Sequence, residues 1–317
     1  MRLGQRPYEQ IVAPMPEQIF DRTLLTQRRA RFANKLAAHD FLLQRAAEDI
    51  QLRLGAVMRE FDIALDLGAH HGVLTQILRN DPRCVHIIST DMCEPLITRC
   101  EGPRVVCDEE FLPFKAQSLD LVVSGLTLHM VNDLPGTLVQ IRRALKPDGL
   151  FLAAVLGGST LRELREAMAF AEDEIDGGVS PRVAPFADIR DYGSLLQRAG
   201  FALPVTDSDV VNVTYATPFD LMREVQGMGA SNALAERRKA PLKRSILMRA
   251  AEIYSERFAA ENGRVRATFE IIHLTGWAPD ASQPKPLAPG SARMRLADAL
   301  DTHEHSTGEK TNPTGKR

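Results

Sequence analysis

The sequence predicts a doubly wound α/β sheet, and three observations carry that prediction. From residue 61 to residue 156, short apolar runs alternate with helical patterns. The run from Leu150 to Leu156 is continuously apolar, as suits a parallel strand buried on both faces. The first strand run ends in a glycine-punctuated turn, Asp66-Leu67-Gly68-Ala69-His70-His71-Gly72, which opens a helix. Strands and helices in this alternation pack as parallel strands with right-handed crossovers.

Each element follows in order. Residues 1–25 carry Pro7, Pro14 and Pro16, which break any regular pattern and predict an irregular segment. Phe32, Leu36, Leu43, Ala47, Ile50, Leu54 and Val57 repeat at three, four and seven, predicting one long amphipathic helix over residues 26–60. Arg28, Arg29 and Arg31 at its start read as a solvated face. The cofactor-type core spans residues 61–156. Its strands are Phe61 onward, Val85 to Thr90, Val105 to Cys107, Leu119 to Val123 and Leu150 to Leu156, with helices from Val73 and over Leu138 to Leu145. Two helical insertions interrupt the rhythm, one at 157–187 after the fifth strand and one at 216–266 before the last strand. Thr160-x-x-Glu163 reads as a capping box opening the first of them. A helix from Asp188 to Ala199 and strands Val205–Tyr215 and Ala267–Gly276 complete seven strands in a domain covering 26–278. Residues 279–317, rich in Pro, Ser, Thr, Gly and charge, read as a disordered tail.

Composition bounds the function classes. With 44% hydrophobic and 25% charged residues, the 317-residue chain has an ordinary globular make-up. A formal net charge of -2 gives no case for nucleic acid as a partner. Cys84, Cys93, Cys100 and Cys107 form no CxxC pair and read as reduced core thiols, so no metal site is expected. No apolar run is long enough for an integral membrane segment, and residues 1–10 lack a signal-peptide core. A cytoplasmic location is expected, which a peripheral place at the inner membrane would not contradict.

In an open parallel sheet, ligands sit beyond the carboxyl ends of the strands. Here those ends carry Asp66, Asp91, Asp108 and Ser124, four polar residues that core packing does not explain together. Asp91, 25 positions after Asp66, is placed to accept hydrogen bonds from a ribose diol. The loop lacks the G-x-G-x-x-G of a pyrophosphate site and reads Asp66-x-Gly68-x-His70-x-Gly72.

At this point the chain resembles the class I S-adenosylmethionine-dependent methyltransferases (methyltransferase type 11 domain), whose first motif is D-x-G-x-G-x-G. The resemblance implies a seven-stranded Rossmann-like sheet and S-adenosyl-L-methionine as cofactor. It implies that Asp66, Gly68, Ala69 and Gly72 surround the methionine portion, with Asp91 on the ribose and Met92 on the adenine face. It also implies Asp108 and Glu109 at the adenine amino group, with Ser124 completing the set. Further stretches are similar to one subfamily: Asp108 to Lys115, Ser118 to Ser124, Leu126 to Pro135, and Leu145-Lys146-Pro147-Asp148-Gly149. So are Ile19-Phe20-Asp21-Arg22, Gly157 to Arg165, Gln226 to Asn232, and Gly276-Trp277. That subfamily is the methyltransferase-type assembly factor of respiratory complex I, found in mitochondria and in bacterial relatives and credited with hydroxylating an arginine on a complex I subunit. The resemblance runs from about residue 19 to 277. His70 departs from it, replacing the middle glycine, and is expected to crowd the methionine tail or strain the turn.

Four functions stay open on the sequence: methylation of a protein in complex I assembly, hydroxylation of a protein arginine on the same fold, small-molecule O- or C-methylation, and a non-catalytic assembly chaperone. Fold alone does not choose among them. His129, after the fourth strand, is the acid/base candidate, and packing beneath the next helix is its structural alternative. Arg237, Arg238, Lys239, Lys243 and Arg244 form a basic cluster in the second insertion, a candidate grip on a complex I subunit or precursor.

Overall fold

Seven strands build one sheet in a computed structural model that describes residues 18–260, 263–284, 294 and 296–303. They are β1 (Phe61–Leu67), β2 (Cys84–Asp91), β3 (Arg104–Val106), β4 (Leu119–Gly125), β5 (Leu145–Leu156), β6 (Ala202–Tyr215) and β7 (Val265–Trp277). Their order across the sheet is β3-β2-β1-β4-β5-β7-β6. The pairs from β3 to β5 are parallel, whereas β7 runs antiparallel to both neighbours. Strand order reverses between β1 and β4, so a crevice opens beyond their carboxyl ends.

The strands' period of two divides the core. Ala64, Leu121, Val123, Leu150 and Leu152 face one layer; Leu65, Val122, Phe151 and Ala153 face the other. The first layer holds α2 (Phe41–Gly55), α3 (Val73–Asn80), α6 (Arg162–Asp176), α8 (Pro218–Gly227) and α9 (Arg244–Arg257). The second holds α5 (Leu134–Ala144) and α7 (Ile189–Arg198). Caps fix several starts: Asp133 accepts from Gly136 N, Asp188 from Arg190 N and Asp191 N, and Thr217 from Asp220 N.

Four expectations change. The helix predicted over 26–60 is two helices, α1 (Arg22–Phe32) and α2, separated by a 3-10 turn at Leu36–Ala38. The apolar stripe serves two surfaces: Ala33 and Leu36 pack on Cys93 and on Leu96 of α4 (Glu94–Ile97), while Leu42, Ala46 and Ile50 join the sheet core. One straight helix could not reach both. The segment expected to be irregular, 1–25, is ordered where it is described. Phe20 bridges Leu234, and α1 begins at Arg22 behind an Asp21 cap; residues 1–17 lie outside the described residues. The capping box does not form. Leu161, at φ 53, precedes α6, Thr160 Oγ1 donates to Glu270 O, and Glu163 accepts from Thr268 Oγ1 and Thr268 N. Lastly, Ala281–Arg317 is a unit of its own with one helical turn, α10 (Leu296–Ala299), inside the stretch expected to be disordered. Most of that stretch lies outside the described residues.

Ile50, 1% exposed, anchors α2 on the sheet. Ile50→Ala is expected to cost about 2–5 kcal/mol of unfolding free energy in urea titration. A loss below about 1 kcal/mol would show that α2 is not docked as described.

Candidate cofactor and acceptor site

The loop after β1 is shaped by positive φ at Gly68 (71°), His70 (52°) and Gly72 (95°). At Gly68 a Cβ would also lie 2.5 Å from the Thr127 side chain, so glycine is required twice over. The loop is tied to its neighbours through backbone amides: Ala69 N donates to Thr90 O, and His70 N to Asp91 Oδ2 at 3.0 Å. The His70 ring turns inward, where Nε2–H donates to Gly125 O at 2.9 Å and lies 2.9 Å from Thr127 Oγ1. Desolvation, with the Arg29 charge adding to it, pushes the His70 pKa down to about 3, so the ring is neutral.

All four strand-tip residues come together at the crevice, but three of them are fully buried and hold the fold as well. Asp66 Oδ2 accepts from Thr75 Oγ1 at 2.7 Å, while its buried Oδ1 has no hydrogen-bond partner among the described residues. Asp91 accepts from His70 N and from Cys93 N at 2.7 Å. Ser124 Oγ donates to Leu67 O at 2.7 Å, stitching β4 to β1. Asp108, the most exposed of the four, takes Arg22 Nη2 at 2.7 Å. Met92 is half-buried beside Asp91, and Ala69 is 3% exposed.

Burial dominates the electrostatics. Desolvation raises the Asp66 pKa to about 7, and raises those of Asp91 and Glu109. Arginines from α1 oppose the shift at Asp91 and Glu109. Arg22 pairs with Glu109 and Asp108 and donates to Met130 O at 3.1 Å. Arg29, 7% exposed, contributes favourable charge to Asp91 and Glu109. Arg29 is therefore not part of a solvated face, and Arg28 bonds Asn232 O; Arg31 alone of the three is exposed. The sequence singled out Arg22 only as part of a motif, and Arg29 not at all as a site residue. Their one signal is spacing, since positions seven apart share a helix face.

His129 lines a cavity beside the crevice. Its Nδ1 accepts from Leu156 N at 3.4 Å, and its ring meets Phe186 edge-on at 5.2 Å. Burial lowers its pKa to about 3, so at neutral pH it is a neutral imidazole with little strength as a base. The adjacent histidines diverge: His71 Nε2 pairs with Asp40 at 2.9 Å, away from the His70 bonds. The basic cluster is largely consumed. Arg238 and Lys243 each reach Asp176 at 2.5 Å and Arg237 reaches Asp21 at 3.3 Å, leaving Lys239 and Arg244 exposed.

The peripheral motifs converge here too. Phe20 N donates to Asn132 Oδ1, Asn132 Nδ2 to Phe20 O, and Asp21 N to Ala233 O. This lashes the start of α1 between the β4 loop and the second insertion.

Asp66 gives a pH test. Its folded pKa lies above the ordinary carboxyl value of 3.8, so its contribution to stability is complete below about 4 and is lost as pH rises through about 7. Asp66→Asn is expected to flatten that part of the stability profile in urea melts at pH 4 to 8. An unchanged profile would place the titration elsewhere.

A family profile described as a methyltransferase domain matches residues 65–153, the crevice strands and their loops. The arginine-hydroxylase NDUFAF5, mitochondrial, of Mus musculus is 39% identical over 307 residues, covering 94% of this chain and 88% of that protein. A malonyl-[acyl-carrier protein] O-methyltransferase of Halorhodospira halophila is 35% identical over 245 residues, covering 74% of this chain and 81% of that one. Among solved structures, the YcgJ protein of Bacillus subtilis shares the fold at a TM-score of 0.53 and 14% identity, covering 74% of this chain and 99% of that one. With its acid-lined crevice at the β1/β4 switch point, the chain belongs to the class I S-adenosylmethionine methyltransferase-fold family that includes the arginine-hydroxylases NDUFAF5.

Proposed function

We propose that this enzyme binds S-adenosylmethionine across the tips of β1 to β4 and acts on a protein, a subunit of respiratory complex I or its precursor. The observation that carries the cofactor placement is a pair of unsatisfied oxygens. Asp66 Oδ1, at the end of β1, and Glu109 Oε1, just after β3, are buried and accept no hydrogen bond from the described residues. Buried acceptors of this kind call for donors, and the cofactor's amino groups are donors. Asp66, Gly68, Ala69 and Gly72 would surround its amino-acid portion. Asp91 keeps lone pairs beyond the two amides it already accepts, enough for ribose hydroxyls. Met92 would cover the adenine, Asp108 and Glu109 would take its amino group, and Ser124 would hold the floor.

When bound, S-adenosylmethionine supplies an activated methyl group. The chain's own contribution is position and water exclusion, with α1 closing one side of the crevice through Arg22. Arginine hydroxylation is the second reading, favoured because the mammalian relatives that carry that name match most of this chain. No helix among the described residues is long and apolar enough to cross a membrane. The four cysteines are free, which supports a reducing compartment, and the location we propose is cytoplasmic at or near the inner membrane.

Calorimetry tests the cofactor site. Wild type is expected to bind S-adenosylmethionine, and Asp91→Asn to bind it about 1–3 kcal/mol more weakly, the effect of a lost acceptor. Absence of binding by wild type, or equal affinity in the variant, refutes the placement. His70→Gly keeps the amide that Asp91 captures but removes the ring's bonds to Gly125 O and Thr127 Oγ1, so it is expected to weaken binding; tighter binding would show that the ring crowds the site instead. For the acceptor, excision of 216–266 is unsuitable, because Leu221, Ile246 and Tyr254 sit in the main core. Instead, wild type and a Lys239→Glu/Arg244→Glu variant are used to recover partners from a bacterial lysate. Mass spectrometry is expected to find a complex I subunit that gains one oxygen or one methyl group on incubation with wild type. Turnover of a free metabolite with no such subunit recovered would replace this reading with small-molecule methylation.

A further inference from the structure

Beside the crevice lies a cavity of about 400 Å³, within the range of small-molecule sites. None of Asp66, Asp91, Asp108, Glu109 or Ser124 lines it. Its walls come from both N-terminal helices and both insertions, and they are mostly apolar: Leu43, Leu164, Met168, Met222, Leu247 and Phe269 stand among them. Most charged and imidazole groups in the wall are engaged by partners. His39 pairs with Glu224, Asp40 with His71, and Arg182 with Glu172, while His129 accepts from Leu156 N and His70 donates to Gly125 O. Arg29 differs. It lines the cavity, is 7% exposed, and its buried Nη1 has no hydrogen-bond partner among the described residues.

We infer that this cavity binds an apolar small molecule whose oxygen-bearing head, a carboxylate or carbonyl, accepts from Arg29. An apolar chain or ring fills the walls without leaving a wall group unpaired. A buried arginine with an unpaired N–H favours an acceptor, and a charge-assisted bond there is the strongest polar contact the wall offers. The same charge disfavours an ammonium or guanidinium head, since Asp40, the one carboxylate among the described lining residues, is already paired with His71. The ligand is thus of a different class from an arginine side chain. It is separate from the protein acceptor proposed above, and its site stands whether or not the strand-tip acids hold the cofactor.

The test is calorimetry on the full chain without cofactor, using dodecanoate, dodecanol and dodecylamine below their micelle concentrations. Dodecanoate is expected to bind one-to-one and about tenfold or more tighter than dodecylamine. Arg29→Met is expected to lose about tenfold for dodecanoate with dodecanol unchanged, whereas Arg29→Lys keeps the preference for the carboxylate. Leu164→Trp, which fills the cavity from α6, is expected to abolish binding of both. No saturable binding by wild type overturns the proposal. So does dodecylamine binding as tightly as dodecanoate, or an unchanged affinity of either bound ligand in Leu164→Trp. Should Arg29→Met fail to fold, the wild-type head-group preference and the Leu164→Trp result decide alone.

Discussion

The site depends on how His70 is held. Its backbone sits in the left-handed region at φ 52, its amide is captured by Asp91 at the tip of β2, and its ring reaches Gly125 O at the end of β4. Three strand tips are thereby locked to one residue that a β-carbon makes intrinsically reluctant to adopt such a turn. The ring also forms the partition between the acid-lined crevice and the apolar cavity, because it belongs to the loop of one and the wall of the other. The midpoint of the glycine loop is therefore both the floor of the acid-lined crevice and a boundary of its neighbour.

Around that point the chain concentrates buried charge. Asp66, Asp91 and Glu109 are each fully buried, a costly arrangement that persists only with compensation. Backbone amides, Thr75 and two arginines of α1 provide part of it. The remainder, the unpaired oxygens of Asp66 and Glu109, suits a cationic or donor-rich ligand. Because α1 supplies the compensating arginines, the N-terminal helix is an electrostatic part of the site as well as a cover over it. Asp21, Phe20 and Asn132 fasten that helix in place through backbone bonds to 233 and the β4 loop.

The insertions are equally integral. The second one places Met222, Val225, Met228, Leu242 and Leu247 in the cavity wall, while Ile246, Ala250 and Tyr254 of α9 belong to the sheet core. Elements that look like additions along the chain do both jobs in space: the same residues stabilise the domain and shape the cavity, since Met222, Val225, Met228 and Leu242 line it and also pack on the core. Their basic residues follow the same economy: Arg238 and Lys243 pair with Asp176 at the surface, where Lys239 and Arg244 are also exposed.

The linear sequence determined the sheet and the identity of the crevice. Strand periodicity, the glycine turn and acids at successive strand ends are local patterns with local causes, readable within windows of about ten residues. For the same reason Asp66, Asp91, Asp108 and Ser124 are legible as a set of strand-end residues, whereas Glu109 enters only through the family resemblance; the insertions fall between the strands expected. What only the tertiary structure decided involves partners far apart in the chain. Arg22 meets Glu109 across 87 residues, and His70 meets Gly125 across 55. Burial of Arg29 depends on a wall drawn from both insertions. The break of the N-terminal helix at Leu36 and the loss of the Thr160–Glu163 capping box have the same origin: each side chain found a better partner in a distant strand or helix. Periodicity records which face is apolar, but not which surface that face will meet, since the choice is made by packing once the sheet has formed.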